Sequence, residues 1–232
     1  MTGRIYLVPV TLGGDDFTGV IPEKTLALTR QLRFFIVEEL RSARRFLRMI
    51  DKQFPIDKSH FYILNEHTPE NEIEQFLEPL KNGYDVGLMS EAGMPCIADP
   101  GSRIISLAHK KNYQVIPQSG PSSIILALTA SGLNGQNFTF NGYLPVKTHE
   151  KLQKIRELEK QSREGCTQIF METPYRNQKM FEDLVSVCNN ETRLCIASDI
   201  TLPSESIRTL RIAEWRKNVP ELKDRLVIFV LQ

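Results

Sequence analysis

The stretch Val86-Gly-Leu-Met-Ser-Glu-Ala-Gly-Met-Pro-Cys-Ile-Ala-Asp-Pro-Gly101 contains the change of pattern that decides the fold class. Its first four residues are apolar and predict a short buried strand. Residues 90–99 contain Gly93 and Pro95, which predict a rigid loop with close backbone approach. A helical pattern follows at 102–111, and Asp99 is placed to cap it. A strand, a turn-rich loop and a helix form the repeating unit of parallel α/β sheets.

The same unit recurs through the first half of the chain and becomes less regular in the second half. Strands are predicted at 5–8, 33–37, 61–64, 86–89 and 114–116, and helices at 22–32, 42–52, 69–80, 102–111 and 121–130. Later strands are predicted at 138–141, 167–171, 193–197 and 226–231, and later helices at 148–162, 177–187 and 214–218. We therefore expect two α/β domains, 1–117 and 118–232, with a parallel sheet in the first.

Composition excludes several classes of protein. The chain has 232 residues, of which 41% are hydrophobic and 25% are charged, and this is typical of a globular protein rather than a disordered one. A net charge of +1 argues against binding to nucleic acid by bulk charge. No apolar run approaches the ~20 residues of a membrane span, and the first ten residues do not resemble a signal peptide. The four cysteines form no CxxC pair. We therefore expect a cytoplasmic protein with reduced thiols, no metal site and no membrane contact.

Polar and glycine-rich loops follow the five predicted strands of the first domain, at 11–19, 38–41, 65–68, 90–99 and 118–123. In a parallel sheet these loops gather at the carboxyl edge, where open α/β sheets bind ligands. The loops that precede the strands are plain by comparison. The phosphate-binding motifs GxGxxG and GxxxxGK[ST] are absent, as are HExxH and GxSxG. The contrast between the polar, glycine-rich loops after the strands and the plain loops before them predicts an enzyme or a ligand-binding protein that uses none of these common motifs.

Four arginines, Arg41, Arg44, Arg45 and Arg48, are spaced so that they share one face of a helix. This face is either solvated and paired with acids, or a stripe that binds phosphates. Further basic residues could extend it, namely Lys147, Lys151, Lys154 and Arg156.

Five stretches together resemble, in order, the tetrapyrrole methylase-like family of class III S-adenosylmethionine-dependent methyltransferases. The resemblance is closest to its ribosomal RNA small-subunit methyltransferase I branch. The matching stretches are 38–47, 90–101, 119–123 with 130–132, 141–147 and 171–176. They cover nearly the whole chain, and their combination is far more specific than any one of them.

The resemblance implies two α/β domains, the second with a mixed sheet, in a homodimer that binds S-adenosylmethionine in the cleft between the domains. The implied cofactor-binding residues are Pro9, Ser90, Glu91, Ala92, Ile97, Ser122, Ser123, Glu172 and Ile200. Members of the branch methylate a ribose 2′-hydroxyl of a cytidine in the decoding region of small-subunit ribosomal RNA. The implied partner is therefore ribosomal RNA or the small ribosomal subunit.

Methyl transfer to a hydroxyl requires a group that accepts the proton. The candidate catalytic carboxylates are Glu38, Asp199 and Glu205, although paired carboxylates in loops also cap helices. Arg41 is expected at the reacting nucleotide, and Arg176 is a candidate to hold phosphate. The substrate-binding prediction is completed by Arg44 and Arg48, which would contact flanking phosphates.

This sequence departs from the family pattern at several polar positions. The first loop is longer and acidic, and the changed residues are Glu39, Leu40, Glu91, Met94, Ser198 and Leu202. Ser198 and Leu202 stand where the family has an arginine and a lysine. Three hypotheses remain open: a methyltransferase of RNA, a methyltransferase of a small molecule such as a tetrapyrrole, and a catalytically inactive cofactor-binding homologue.

Overall fold

The computed structural model describes residues 2–232. The chain forms two compact units, of which the first ends at Ser122 and the second begins at Ser123. The boundary predicted from sequence, after residue 117, lies five residues earlier. No helix within residues 2–232 is long and apolar enough to cross a bilayer.

The first unit is built on a five-stranded sheet whose strands all run parallel. Its strands are β1 (Arg4–Leu7), β2 (Phe34–Val37), β3 (His60–Ile63), β4 (Val86–Met89) and β5 (Gln114–Pro117). Its helices are α1 (Glu23–Gln31), α2 (Leu40–Ile50), α3 (Glu70–Ile73), α4 (Glu78–Lys81) and α5 (Gly101–Lys110). The strand order β3-β2-β4-β1-β5 places β4 between β2 and β1. Apolar clusters that exclude water pack against the sheet.

Helix α2 shows how this unit is specified locally. It begins two residues before the predicted start, because the carboxylate of Glu39 accepts hydrogen bonds from the backbone N–H groups of Arg41 and Ser42. Its buried residues recur with helical spacing and include Ala43 and Leu47. The four arginines lie on the opposite, exposed side of the helix.

The helix predicted at 69–80 is interrupted in the structure. A 3-10 turn at Glu74–Leu77 separates α3 from α4. Pro79 explains this break, since its ring lacks an N–H and clashes with a carbonyl one turn earlier in a continuous α-helix.

The second unit is built on a mixed five-stranded sheet. Its strands are β6 (Phe138–Tyr143), β7 (Thr167–Met171), β8 (Arg193–Ser198), β9 (Ser206–Arg211) and β10 (Val227–Leu231). Its helices are α6 (Ser123–Ser131), α7 (Thr148–Arg163), α8 (Asn177–Val187) and α9 (Ile212–Trp215). The order is β6-β7-β10-β8-β9, in which only the β6–β7 pair is parallel. The predicted pair of α/β domains, one parallel and one mixed, is confirmed.

The core of the second unit centres on β10, whose five residues are all buried. Phe229 stacks on Phe170 of β7 with ring centroids 5.6 Å apart. The sequence analysis did not predict β9. This strand lies at the edge of the sheet and contains the exposed residues Arg208 and Arg211, so it lacks the apolar run of a buried strand.

Candidate active site in the loops that follow the strands

Three loops of the first unit meet at the carboxyl edge of the parallel sheet. The loop after β1 (residues 8–22, the β1 loop) and the loop after β4 (residues 90–100, the β4 loop) exchange two backbone hydrogen bonds. Val10 N donates to Gly93 O at 3.0 Å, and Gly93 N donates to Thr11 O at 3.3 Å. The β2 loop joins them, because Glu91 N donates to Oε2 of Glu38 at 3.3 Å. Since β4 lies between β1 and β2, the sheet order itself makes these loops neighbours.

The β4 loop, residues 90–100, is rigid and strained. Cys96 and Ala98 have φ angles of 70° and 60°, a left-handed conformation that is uncommon for residues other than glycine. The carboxylate of Asp99 holds this conformation by accepting from the N–H groups of Cys96 at 2.8 Å and Gly101 at 2.7 Å. Ile97, between the two strained residues, is 45% exposed. The strained backbone of this loop thus leaves the apolar side chain of Ile97 exposed to solvent.

Other predicted cofactor residues of the first unit lie in this loop or at other loops of the unit. Ala92 is exposed, and the hydroxyl of Ser90 donates to its carbonyl oxygen at 3.2 Å. Pro9 is buried against Gly120, where an added Cβ would lie 2.3 Å from the proline Cβ. Only glycine therefore fits at 120. Ser122, the last residue of the unit, is half-buried.

Of the predicted catalytic carboxylates Glu38 and Asp199, Glu38 is the one whose pKa is raised. It is half-buried at the end of β2. Burial raises its pKa above the ordinary value, the N–H of Glu91 lowers it, and the negative charges of Asp99 and Glu91 raise it further. A carboxylate with a raised pKa is a stronger base than an exposed one.

Two of the four α2 arginines line a cavity, and the other two do not. Arg41 and Arg45 line a cavity of about 400 Å³, and Nη2 of Arg45 lies 3.2 Å from Oδ1 of Asp15. Arg44 instead lies over the ring of Phe61, 5.4 Å from its centroid. Arg48 donates to the carbonyl of Lys52 at 2.8 Å. Arg44 and Arg48, the two arginines predicted to bind flanking phosphates, are exposed but do not line this cavity.

In the second unit, Glu172 and Arg176 form an ion pair at the end of β7. The Glu172 side chain is 1% exposed and accepts from Nη2 of Arg176 at 2.6 Å and from Thr173 N at 2.7 Å. The hydrogen bond to Glu172 raises the pKa of Arg176. The guanidinium also lies over the exposed ring of Tyr175. Arg176 is thus held by a buried carboxylate within its own unit.

Asp199 has a structural role in the turn after β8. Its φ angle is 52°. Its carboxylate accepts from Arg225 Nε at 2.8 Å, Ser204 Oγ at 2.9 Å and Leu226 N at 3.0 Å. Burial raises its pKa, but these donors outweigh burial, and the pKa lies below the ordinary value. A carboxylate with three donors and a lowered pKa is a weak base.

The remaining predicted residues of the second unit are dispersed. Ser123 begins α6, and Ile200 is buried next to Asp199. Glu205 is exposed and accepts from Thr201 N at 2.8 Å. At the positions that depart from the family pattern, Ser198 donates to the carbonyl of Ser206, and Leu202 is half-buried.

The prediction that Lys151 extends a surface stripe of positive charge is wrong. Its side chain is 7% exposed and lies 2.5 Å from Oδ2 of Asp183 on α8. Two neighbouring lysines also pair locally, Lys147 with Glu150 and Lys154 with Glu157. Helical spacing alone did not distinguish the inward-facing lysine from the outward-facing ones.

All four cysteines are free thiols. Burial raises the pKa of Cys96 and of Cys188 to about 12, so neither is a thiolate near neutral pH. Within residues 2–232, no group of three metal-ligating side chains converges.

A family model matches most of this chain. It describes the Tetrapyrrole (Corrin/Porphyrin) Methylases and covers residues 5–215. The chain belongs to this family. The match spans both units of this methylase and confirms the family resemblance and the prediction of a methyltransferase.

Curated relatives of this methylase come from the branch that its motifs resemble. The protein named Ribosomal RNA small subunit methyltransferase I of Vibrio cholerae is 30% identical over 210 residues, covering 90% of this chain and 69% of the relative. The protein of the same name from Pseudomonas aeruginosa is 30% identical over 212 residues, covering 91% and 71%. That from Escherichia coli O157:H7 is 27% identical over 223 residues, covering 96% and 74%.

Solved structures confirm the fold of this methylase. The methyltransferase CobJ superposes with a TM-score of 0.65 at 13% identity, covering 99% of this chain and 94% of that one. The uroporphyrin-III-C-methyltransferase from Thermus thermophilus gives 0.58 at 17% identity, covering 100% and 92%.

Two residues with clear contacts in this methylase were not predicted as site residues. Arg45 was recognised within the arginine series, but its place in the cavity depends on the conformation of the β1 loop. Arg225 lies 26 residues after Asp199, and no local motif connects the two.

Proposed function

We propose that this methylase transfers a methyl group from S-adenosylmethionine to a ribose 2′-hydroxyl of small-subunit ribosomal RNA. The proposal depends chiefly on the relatives, which are named for this RNA and about 70% of whose length is covered by the match. The geometry adds support, because a carboxylate with a raised pKa lies beside a strained, exposed loop in the first unit.

The residues of the first unit fit a cofactor of this kind. Ala92 and Ile97 expose small and apolar side chains on a rigid loop, which suits an adenosine. The backbone N–H of Glu91 donates to the Glu38 carboxylate, and both residues carry the charge opposite to that of a sulfonium. In the second unit, Glu172 is buried and ion-paired, so we expect it to orient backbone rather than to contact the cofactor.

S-adenosylmethionine, when bound, supplies an activated methyl group. The protein then has to orient the acceptor and remove its proton. We assign proton acceptance to Glu38 and the orientation of a phosphate to Arg41, an exposed residue three positions later in the chain. We do not assign a proton-transfer role to Asp199, because three donors already occupy its carboxylate.

The test is methyl transfer from labelled S-adenosylmethionine to small ribosomal subunits from cells that lack this modification, with a carboxylated tetrapyrrole as the competing acceptor. Transfer to RNA at a ribose supports the proposal. Transfer to the tetrapyrrole alone overturns it in favour of the small-molecule alternative. Cofactor binding without transfer to either acceptor would indicate an inactive homologue.

The assignment of Glu38 has its own test. Glu38→Gln should reduce transfer by about 10²- to 10⁴-fold, while cofactor affinity measured by calorimetry stays within a few-fold. Glu66→Gln, an exposed carboxylate after β3, is the matched control. Because the base must be ionised, the rate should fall with decreasing pH at a higher pH than for an ordinary glutamate. Full activity of Glu38→Gln would remove this residue from the mechanism without affecting the proposed reaction.

We also propose that this methylase forms a homodimer in the cytoplasm, where its RNA substrate would be encountered. Two exposed apolar side chains, Tyr143 at the end of β6 (56%) and Val146 just after it (67%), favour an interface in the second unit. Light scattering at micromolar concentration tests this assembly, and a monomer would contradict it.

A further inference from the structure

The cavity of about 400 Å³ in the first unit lies between the β1 loop and α2. The backbone at Gly13 and Gly14 forms one wall. The lining residues from α2 include Phe46, which is buried, and Met49, which is half-buried. A volume in this range and a partly apolar lining are typical of sites for small organic groups.

Two guanidinium groups lie at the cavity, one helical turn apart. Within residues 2–232, the Arg41 side chain has neither an ion pair nor a hydrogen bond, and only its backbone N–H is engaged, by Glu39. Arg45 pairs with Asp15, but the two side chains are 74% and 78% exposed. Exposed ion pairs of this kind contribute little, so both arginines are available to an incoming anion.

The cavity also reaches the loop that we propose for the cofactor. Ser90 and Glu91 belong both to its lining and to the β4 loop. Glu38, the proposed base, receives the N–H of Glu91 at 3.3 Å. A ligand in the cavity would therefore lie beside the groups that carry out the reaction.

We infer that this cavity binds one unpaired nucleotide of the RNA, with Arg41 and Arg45 on its two phosphates and the base against Phe46 and Met49. The inference rests on the proposed function and names the form in which its substrate is bound. Arginine forks suit phosphate oxygens, and proteins that recognise RNA bases act mainly on unpaired nucleotides that can be splayed out. Asp15 occupies Arg45 in the free protein and is displaced by the phosphate.

The first experiment measures binding of a fluorescently labelled single-stranded oligoribonucleotide by anisotropy at several salt concentrations. Arg41→Ala/Arg45→Ala should weaken binding and flatten the slope of log affinity against log salt by about 1.4, since each phosphate contact on a single strand contributes about 0.7. An unchanged slope overturns the inference, and so does a wild-type protein that binds no single strand.

The matched control removes the same amount of charge at the opposite edge of the same sheet. Lys81 ends α4 and Lys110 ends α5, and both are exposed at the start of the turns that lead to β4 and β5. Lys81→Ala/Lys110→Ala should keep the wild-type slope. If it flattens the slope as much as the arginine variant does, binding reflects total charge, and the cavity is not the site.

Two further measurements test the unpaired nucleotide and the role of Asp15. A surface that binds by charge alone favours duplex RNA, because the charge density of a duplex is higher. If the cavity takes an unpaired nucleotide, the wild-type protein should instead bind the free strand more tightly than the same strand annealed to its complement. Asp15→Asn should tighten binding by up to about fivefold, because the phosphate no longer competes with a carboxylate. Preference for the duplex, or weaker binding by Asp15→Asn, overturns the inference.

Failure of this inference can be distinguished from failure of the proposed function. Methyl transfer by the wild-type protein to small ribosomal subunits tests the function without reference to the cavity. Transfer that persists while the arginine variant keeps its salt slope removes only the cavity assignment.

Discussion

Replacing Lys151 by methionine should cost far more stability than replacing a neighbouring lysine. Lys151 and Asp183 form an ion pair whose side chains are 7% and 5% exposed. Removing one partner of a buried pair typically costs about 3–5 kcal/mol, because the other charge is left buried. Here Lys179 stays 3.1 Å from Asp183 with a side chain that is 58% exposed, so we expect a value of about 3 kcal/mol, at the low end of that range.

The control for this experiment is Lys154→Met on the same helix. Lys154 pairs with Glu157, whose side chain is 53% exposed, so its loss should cost no more than about 1 kcal/mol. Urea unfolding of the full chain is followed by the fluorescence of Trp215, the chain's one tryptophan, which is buried in the same unit. Lys151→Met/Asp183→Leu should recover most of the loss, since an apolar pair replaces the ionic one. If Lys151→Met costs no more than Lys154→Met, the buried-pair argument is refuted.

Three further changes test the local structure at the site. Glu39→Ala removes the cap of α2 and should lower the midpoint of urea unfolding, and Glu39→Asp should restore most of the loss. Arg225→Met removes the main cation beside Asp199. The pKa of Asp199 is lowered in the folded protein, so the ionised carboxylate stabilises the fold, and this stabilisation is lost as the pH falls. In an acid titration the variant should therefore unfold at a higher pH than the wild type. Gly120→Ala places a Cβ 2.3 Å from Pro9, so it should destabilise the first unit by about 1–3 kcal/mol and weaken cofactor binding in calorimetry, whereas unchanged stability would contradict the close packing.

Much of the fold follows from periodicity and turn residues. The strands predicted at 86–89 and 167–171 and the helix at 177–187 have the bounds that the structure shows. Buried strands leave continuous apolar runs, and these are visible without tertiary information. The missed strand β9 and the interrupted helix before β4 depend on an edge position and on one proline, where local signals conflict.

The site was predictable to the level of loops but not of side chains. The meeting of the β1, β2 and β4 loops follows from strand direction and needs only the fold class. Whether a carboxylate can accept a proton in the reaction or instead holds the fold through hydrogen bonds depends on its hydrogen-bond partners, which are distant in sequence. Glu38 and Asp199 look alike as acidic residues after strands, yet burial raises the pKa of one, and Arg225 with two other donors lowers that of the other.

The central place of β10 in the mixed sheet sets an order for folding during synthesis. The strands of the first unit are complete once residue 117 has been made, so that unit can fold while translation continues. In the second unit, β7 and β8 pair only through β10 and must wait for residues 227–231. Until then each carries an unpaired edge beside exposed apolar side chains, which makes the nascent second unit the part of the chain most prone to aggregate.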